Sequence, residues 1–218
     1  MGKSCLTIIW VLALCLCASI AQANLITNGG FEDPTSYSIP SNPGYVTLYA
    51  PSTDMSGWQV VGSIDWVQDY WKPYEGKRSI DLSGDYPGAI TTSATFSTIP
   101  DKTYVVSFYL AGNFDGGDNT KTVQAKIIQQ GTIVSQTFDA INFTGWDRQN
   151  MGWTKETFTF VASSSSATLE FVSLERNAYG PALDAVSVGM IPLPATVLLL
   201  GTGLLGLGLV GFRRKKED

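Results

Sequence analysis

Residues 104–110 read Tyr104-Val105-Val106-Ser107-Phe108-Tyr109-Leu110, and this stretch decides the fold. Side chains on an extended chain alternate between two faces, so Tyr104, Val106, Phe108 and Leu110 share one face and Val105, Ser107 and Tyr109 the other. The stretch predicts a central strand with one buried face. Outward from it, 121–128 and 133–138 flank Gln129-Gln130-Gly131 and predict a hairpin. Segments 153–162 and 167–173 predict a second hairpin across the serine turn at 163–166, with Phe158 and Phe160 on one face of the first arm and Leu169 and Phe171 on one face of the second. Residues 183–188 supply a last strand. Towards the N-terminus, 25–27, 58–61, 63–70 and 79–82 read as short strands, with another at 45–49 inside a Pro-, Ser-, Tyr- and Gly-rich excursion over 33–57. Nothing in this region sustains a helical period. These short strands predict an all-β domain, a two-sheet sandwich or a barrel, and the sandwich of jelly-roll type is preferred because its alternating faces bury one another.

The domain is expected over residues 24–190, between two segments of different character. Residues 1–23 carry Lys3, an apolar run over 6–20 and then Ala21-Gln22-Ala23, which is the layout of a secretory signal peptide. All three cysteines, Cys5, Cys15 and Cys17, lie inside it, so the exported domain has neither disulfides nor thiolate metal ligands. At the other end, Ile191-Pro192-Leu193-Pro194 precedes an uncharged apolar run over 195–212 and then Arg213-Arg214-Lys215-Lys216. As a helix this run would be about 27 Å long, close to the ~30 Å of a bilayer's hydrocarbon core. It predicts a transmembrane segment, and the basic cluster behind it favours a cytoplasmic C-terminus with the domain outside.

The tail resembles the bacterial PEP-CTERM sorting signal, a Pro-x-Pro motif, an apolar segment and a terminal Arg/Lys cluster. Leu193 stands where that pattern usually has Glu. The resemblance implies exosortase as processing partner, acting through Pro192, Leu193, Pro194, Arg213 and Arg214. The alternative is a plain membrane anchor that is never cut.

Residues 24–190 contain nine Lys/Arg against 17 Asp/Glu, a net charge of −8. Phosphate contacts need clustered Lys and Arg, so nucleic acid is excluded as an expected partner. The chain has no His, which removes Ser-His-Asp and Cys-His nucleophile systems and His-rich zinc sites. Paired carboxylates could still build a glycosidase, but spacing alone does not separate a catalytic pair from surface charge.

Four segments taken in order carry a resemblance: Asn24-Leu25-Ile26-Thr27-Asn28-Gly29-Gly30-Phe31-Glu32, the run 75–84, Ser107-Phe108-Tyr109-Leu110-Ala111-Gly112-Asn113, and the run 180–188. Together they resemble the choice-of-anchor C family, bacterial surface proteins related to plant cell-wall domains. The resemblance implies a galactose-binding-like jelly roll without a settled enzymatic activity. The opening Asn-Gly-x-Phe-Glu also resembles that of carbohydrate-binding jelly rolls in which a Glu near the first strand and an Asp on the last share a structural calcium ion. This implies Glu32 and Asp184 as Ca2+ ligands. Otherwise, Glu32 is a solvated turn residue and Asp184 accepts hydrogen bonds from loop amides. Asp115-Gly116-Gly117-Asp118-Asn119 lacks the closing Glu of an EF-hand loop and reads as a turn.

Sugar rings are recognised by exposed aromatic faces flanked by polar groups. Candidate rings are Trp66, Tyr70, Trp71, Tyr74, Trp146 and Tyr179, with Asp69, Asn113, Asp115, Arg176 and Asn177 as polar partners. The densest cluster runs from 66 to 74, and core packing is the competing role for each ring. The expectation is an exported, non-catalytic domain of the cell envelope or extracellular matrix of a Gram-negative-type bacterium, binding polysaccharide. A structural protein that binds other proteins is the alternative, and a glycosidase-like enzyme stands behind both.

Overall fold

The computed structural model describes residues 23–35, 38–142 and 145–192. The expected signal segment up to residue 22, and Leu193, Pro194, Arg213, Arg214 and the apolar run of the tail, lie outside these residues. Among the described residues no helix is long and apolar enough to cross a membrane. Ala23–Met190 forms one compact unit. It contains its own complete core and both sheets, so it carries what it needs to fold.

The strands are β1 (Tyr45–Tyr49), β2 (Trp58–Val61), β3 (Ser63–Val67), β4 (Ser79–Asp81), β5 (Ala89–Thr92), β6 (Phe96–Ser97), β7 (Thr103–Gly112), β8 (Thr120–Gln129), β9 (Thr132–Ile141), β10 (Thr154–Val161), β11 (Ser166–Ser173) and β12 (Pro181–Met190). One sheet runs β1-β3-β4-β12-β7-β10 and the other β2-β5-β11-β8-β9, with β6 attached to β11. Every pairing is antiparallel.

The alternation of 104–110 does what it predicts. Tyr104, Val106, Phe108 and Leu110 are buried, while Val105, Ser107 and Tyr109 are half-buried on the outer face. Phe108 sits at the centre of the sandwich, edge-on to Phe138 at 5.1 Å and to Phe171 at 4.9 Å. Those rings come from the opposite sheet, and such edge-to-face pairs add about 0.5–1.5 kcal/mol each beyond the apolar area they bury.

Two expectations are corrected. The arms 153–162 and 167–173 do not form a hairpin: β10 pairs with β7 in the first sheet, whereas β11 pairs with β5 and β8 in the second. The serine turn carries the chain across the sandwich. Both arms alternate correctly, but alternation is the same for a strand that turns back beside its neighbour and one that crosses to face it. The second correction is at 25–27, which is bend and turn rather than strand. Here the Asn24 side chain replaces a ladder: its Oδ1 accepts from Val188 N and Ile26 N, and its Nδ2 donates to Val186 O. β5 and β6 were not anticipated, because four and two residues among Gly, Pro and Ser are too short to show a period.

Candidate functional site

The outer face of the first sheet is divided into a covered half and an open half. Over β12, β7 and the end of β3 lies a second, smaller core in which Trp71 and Met151 pack on Val67, Ala111 and Ala182, with Tyr45, Tyr70, Phe114 and Trp153 around them. Trp71 comes from the loop between β3 and β4, and its ring nitrogen donates to Ser79 Oγ at 2.8 Å. The loop before β10 supplies the rest, tied on by Lys72 N donating to Arg148 O and by Trp153 Nε1 donating to Lys72 O.

Two carboxylates hold the β3–β4 loop in place. Asp184 Oδ2 accepts from the amides of Tyr74 and Glu75, and its Oδ1 accepts from Ala185. A bulge between Asp184 and Ser187, with Ala185 at φ 50°, aims the carboxylate at the loop. Glu32 Oε1 accepts from the amides of Lys77 at 2.7 Å and Arg78 at 2.9 Å. Gly76 is required beside it: φ is 60°, and a Cβ there would lie 2.1 Å from Glu32 Oε1. Burial raises Asp184 to about 7, against the pull of its amide donors.

Glu32 and Asp184 act here as acceptors of loop amides, the alternative to sharing a calcium ion. A calcium ion needs six to eight oxygen ligands. Glu32 and Asp184 instead face N–H groups, on two different stretches of the loop, and such donors repel a cation. Among the described residues no group of three or more acidic, His or Cys side chains is arranged to hold a metal ion. The residues present do not fit the ion.

The open half lies over β1 and β3. There a cleft of about 180 Å³ is lined by Tyr45, Thr47, Asp65, Asp85, Tyr70 and Tyr179, with Asn113 and Trp71 at its floor. Alternation places Tyr45, Thr47 and Tyr49 on the outer face of β1, while Leu48 points into the core. On β3, Asp65 faces outward between the buried Ile64 and Trp66. Thr47 Oγ1 donates to Asp65 Oδ1 at 2.6 Å. Burial, aided by the charge of Asp85, raises Asp65 to about 6. Tyr49 donates its hydroxyl to Asp85, and its ring contacts Tyr86, which extends the aromatic surface past the cleft.

One wall is a chain of polar contacts. Buried Asp81 accepts from Asn113 Nδ2 and from the amides of Ser83 and Gly180. Burial raises its carboxyl well above the ordinary range. Asn113 Oδ1 in turn accepts from Asp115 N, and Asp115 Oδ2 accepts from the Tyr70 hydroxyl at 2.7 Å. The Arg148 guanidinium lies 3.9 Å over the Tyr70 ring and pairs with Asp115. Tyr70 is thereby fixed edge-on to Tyr45. The opposite rim is Tyr179, whose ring rests on Gly116 with no room for a Cβ.

The predicted cluster at 66–74 is therefore split. Trp66 is wholly buried in the main core, its ring nitrogen donating to Phe31 O, and it is withdrawn as a binding residue. Trp71 is 3% exposed and acts as packing for the cleft rather than as an open platform. Tyr70 lines the cleft. Tyr74 stacks on Tyr109 with ring centroids 3.3 Å apart and faces a separate groove with Lys72, Gln149 and Trp153. Asn113 orients Asp81 and Asp115, and Arg176 is exposed outside the lining. The sequence reading missed Tyr45, Thr47, Asp65 and Asp85. The alternation of 45–49 was the available signal, hidden because the excursion around it reads as loop.

A model of the family described as "Protein of unknown function (DUF642)" matches residues 24–189. Halomucin of Haloquadratum walsbyi is 35% identical over 173 residues, 78% of this chain, and the chain spans 2% of that protein's length. Among solved structures, an arabinose-bound α-L-arabinofuranosidase matches 80% of this chain and 27% of its own, with 12% identity and a TM-score of 0.51. A family 16 carbohydrate-binding module matches 76% of this chain and 99% of its own, with 15% identity and a TM-score of 0.49. At this identity the likeness to the arabinofuranosidase is one of fold.

Proposed function

We propose, from the premise that this chain belongs to the DUF642 family, that it binds polysaccharide at the cleft over β1 and β3 and does not cleave it. The observation that carries this reading is the cleft itself. Tyr45, Tyr70 and Tyr179 offer ring faces and edges for the apolar side of a sugar, while Asp65, Asp85 and Thr47 offer hydroxyl partners. Rings of this kind supply most of the contact area in sugar recognition, and flanking polar groups fix orientation. At about 180 Å³ the cleft is smaller than the ~300 Å³ at which pockets begin to enclose a small molecule. It suits one unit of a polymer lying across the surface.

In this reading the domain is exported through its signal segment and sorted through the PEP-CTERM-like tail by exosortase, to act at the cell envelope or in the matrix, as in the choice-of-anchor C proteins it resembles. Affinity electrophoresis of residues 23–190 through gels containing neutral, acidic and amino-sugar polymers tests the reading. Retardation by one polymer class, lost in Tyr45→Ala and Tyr179→Ala with the fold intact, is the expected result. Migration unchanged by every polymer overturns it.

One observation favours a second reading. Asp65 and Asp85 line the same cleft, as a glycosidase's carboxylates must. Release of reducing ends from the retarding polymer, abolished by Asp65→Asn, would replace binding with hydrolysis.

A further inference from the structure

Each sheet of an open sandwich ends in strands with unpaired backbone groups, and soluble proteins blunt such edges with short strands, prolines, charges or coverings. Three edges of this molecule are blunted. β1 is five residues long with Pro43 before it and Pro51 after it. β2 is four residues long, and Val60 N already donates to Ser52 O outside the sheet. β10 carries Lys155 and Glu156.

β9 is different. It ends the second sheet, runs for ten residues, contains no proline and has a single charge, Asp139. Its outer face displays Ile133 at 65% exposure and Ile141 at 48%. Thr, Ile, Val and Phe make up most of the strand, the composition most prone to pairing.

We propose that β9 is a self-pairing edge through which two copies of this chain join their second sheets into one. The register follows from the hairpin. β8 and β9 are joined by the two residues Gln130 and Gly131, and the closing pair is Gln129 with Thr132. A two-residue loop closes on a mutually hydrogen-bonded pair, and such pairs alternate along an antiparallel ladder. The even-numbered residues of β9 thus spend their backbone groups on β8. The odd-numbered residues turn theirs to the open edge, and their side chains lie on the outer face.

An antiparallel pair with its two-fold axis at Thr137 uses only those odd-numbered residues. It sets Ile133 of each copy opposite Ile141 of the other, so both exposed isoleucines gain an apolar partner, and it sets Asp139 opposite uncharged Ser135. No like charges meet. The contact also leaves the sugar cleft free, since β1 and β3 lie at the other end of the first sheet from β10, which packs over β9 through Phe158 and Phe138. Two clefts would then be held outward by one rigid sheet, an arrangement that raises avidity for a polymer without a new sugar contact.

Sedimentation velocity of residues 23–190 over a wide concentration range tests this. The expected species at high concentration has twice the monomer mass, and the Ile133→Lys, Ile141→Lys variant stays monomeric with an unchanged melting temperature because both sites are exposed. A wild-type domain that remains monomeric throughout, or a double variant that associates as the wild type does, overturns the proposal. The register has its own test, because the segment 23–190 has no cysteine. Directly opposed hydrogen-bonded residues have Cα atoms about 5.5 Å apart, within disulfide reach. Thr137→Cys should oxidise to a covalent dimer faster than Ser135→Cys; equal or reversed rates overturn the axis at 137.

Discussion

The two halves of the first sheet's outer face differ in what lies above them and hardly at all in the strands beneath. Over β12 and β7, Ala182 and Ala111 disappear under Trp71 and Met151. Over β1 and β3, Tyr45, Thr47 and Asp65 remain open to a ligand. All these residues point outward by the same period-two rule. What separates the halves is a loop, and what places the loop is a pair of carboxylates from distant parts of the chain. Covered surface here is decided by tertiary hydrogen bonds, and the open surface is what those bonds leave bare.

The largest test of this contrast is to remove the cover. Trp71→Ala deletes the centre of the smaller core and should cost about 3–5 kcal/mol, read by urea unfolding. Tyr179→Ala, on the open side, should abolish polymer retardation while lowering stability by less than about 1 kcal/mol, because partly exposed side chains contribute little to folding. If both variants lost the same stability, the two halves would not be distinct.

Releasing the loop instead of hollowing it should have an intermediate effect. Asp184→Ala leaves the amides of Tyr74, Glu75 and Ala185 without their acceptor and should cost about 1–3 kcal/mol. Limited proteolysis should then cut first within 72–78. Cleavage elsewhere would show that the clamp is not what holds the cover.

A smaller effect separates the halves by pH. Asp184 is raised to about 7 and Asp65 to about 6, against ~3.9 in an unfolded chain. Between these limits the native protein keeps protons that the unfolded chain has released, so stability is greatest at the acidic end and falls as pH rises through 6 and 7. The melting temperature should be higher at pH 5 than at pH 8, and Asp184→Asn should remove part of that slope. A slope of opposite sign would mean that the amide donors outweigh burial. The smallest expected effect is none at all: calcium or chelator should leave the melting temperature unchanged, because Glu32 and Asp184 face N–H groups.

The sequence disclosed what is local and periodic. β7 alternates from Thr103 to Leu110 and β8 along its length, and Tyr104, Val106, Phe108 and Leu110 with Val123, Ala125 and Ile127 lie in the core. It did not disclose whether β10 and β11 pair or cross, since the serine turn between them permits either. Nor did it place the cleft. Trp66 and Tyr70 are four residues apart, yet one is interior and the other lines the site, because the strand ends at Val67 and the parity that governs Trp66 stops there. Asp65 and Tyr179 meet across more than a hundred residues of sequence through loops that no pattern describes. For Asp184, strand alternation does not distinguish an acceptor of loop amides from a cation ligand, and the amides of Tyr74 and Glu75 come from a loop over a hundred residues away.

β12 lies between β4 and β7, inside its sheet, and residues 181–190 leave it at one end. A pull applied through residue 190, with a polymer gripped on β1 and β3, runs along that strand and across two ladders at once. The hydrogen bonds of β12 to β4 and of β4 to β3 are loaded in shear instead of opening one after another. The middle position of β12 thus converts tension between residue 190 and the cleft into shear along the sheet.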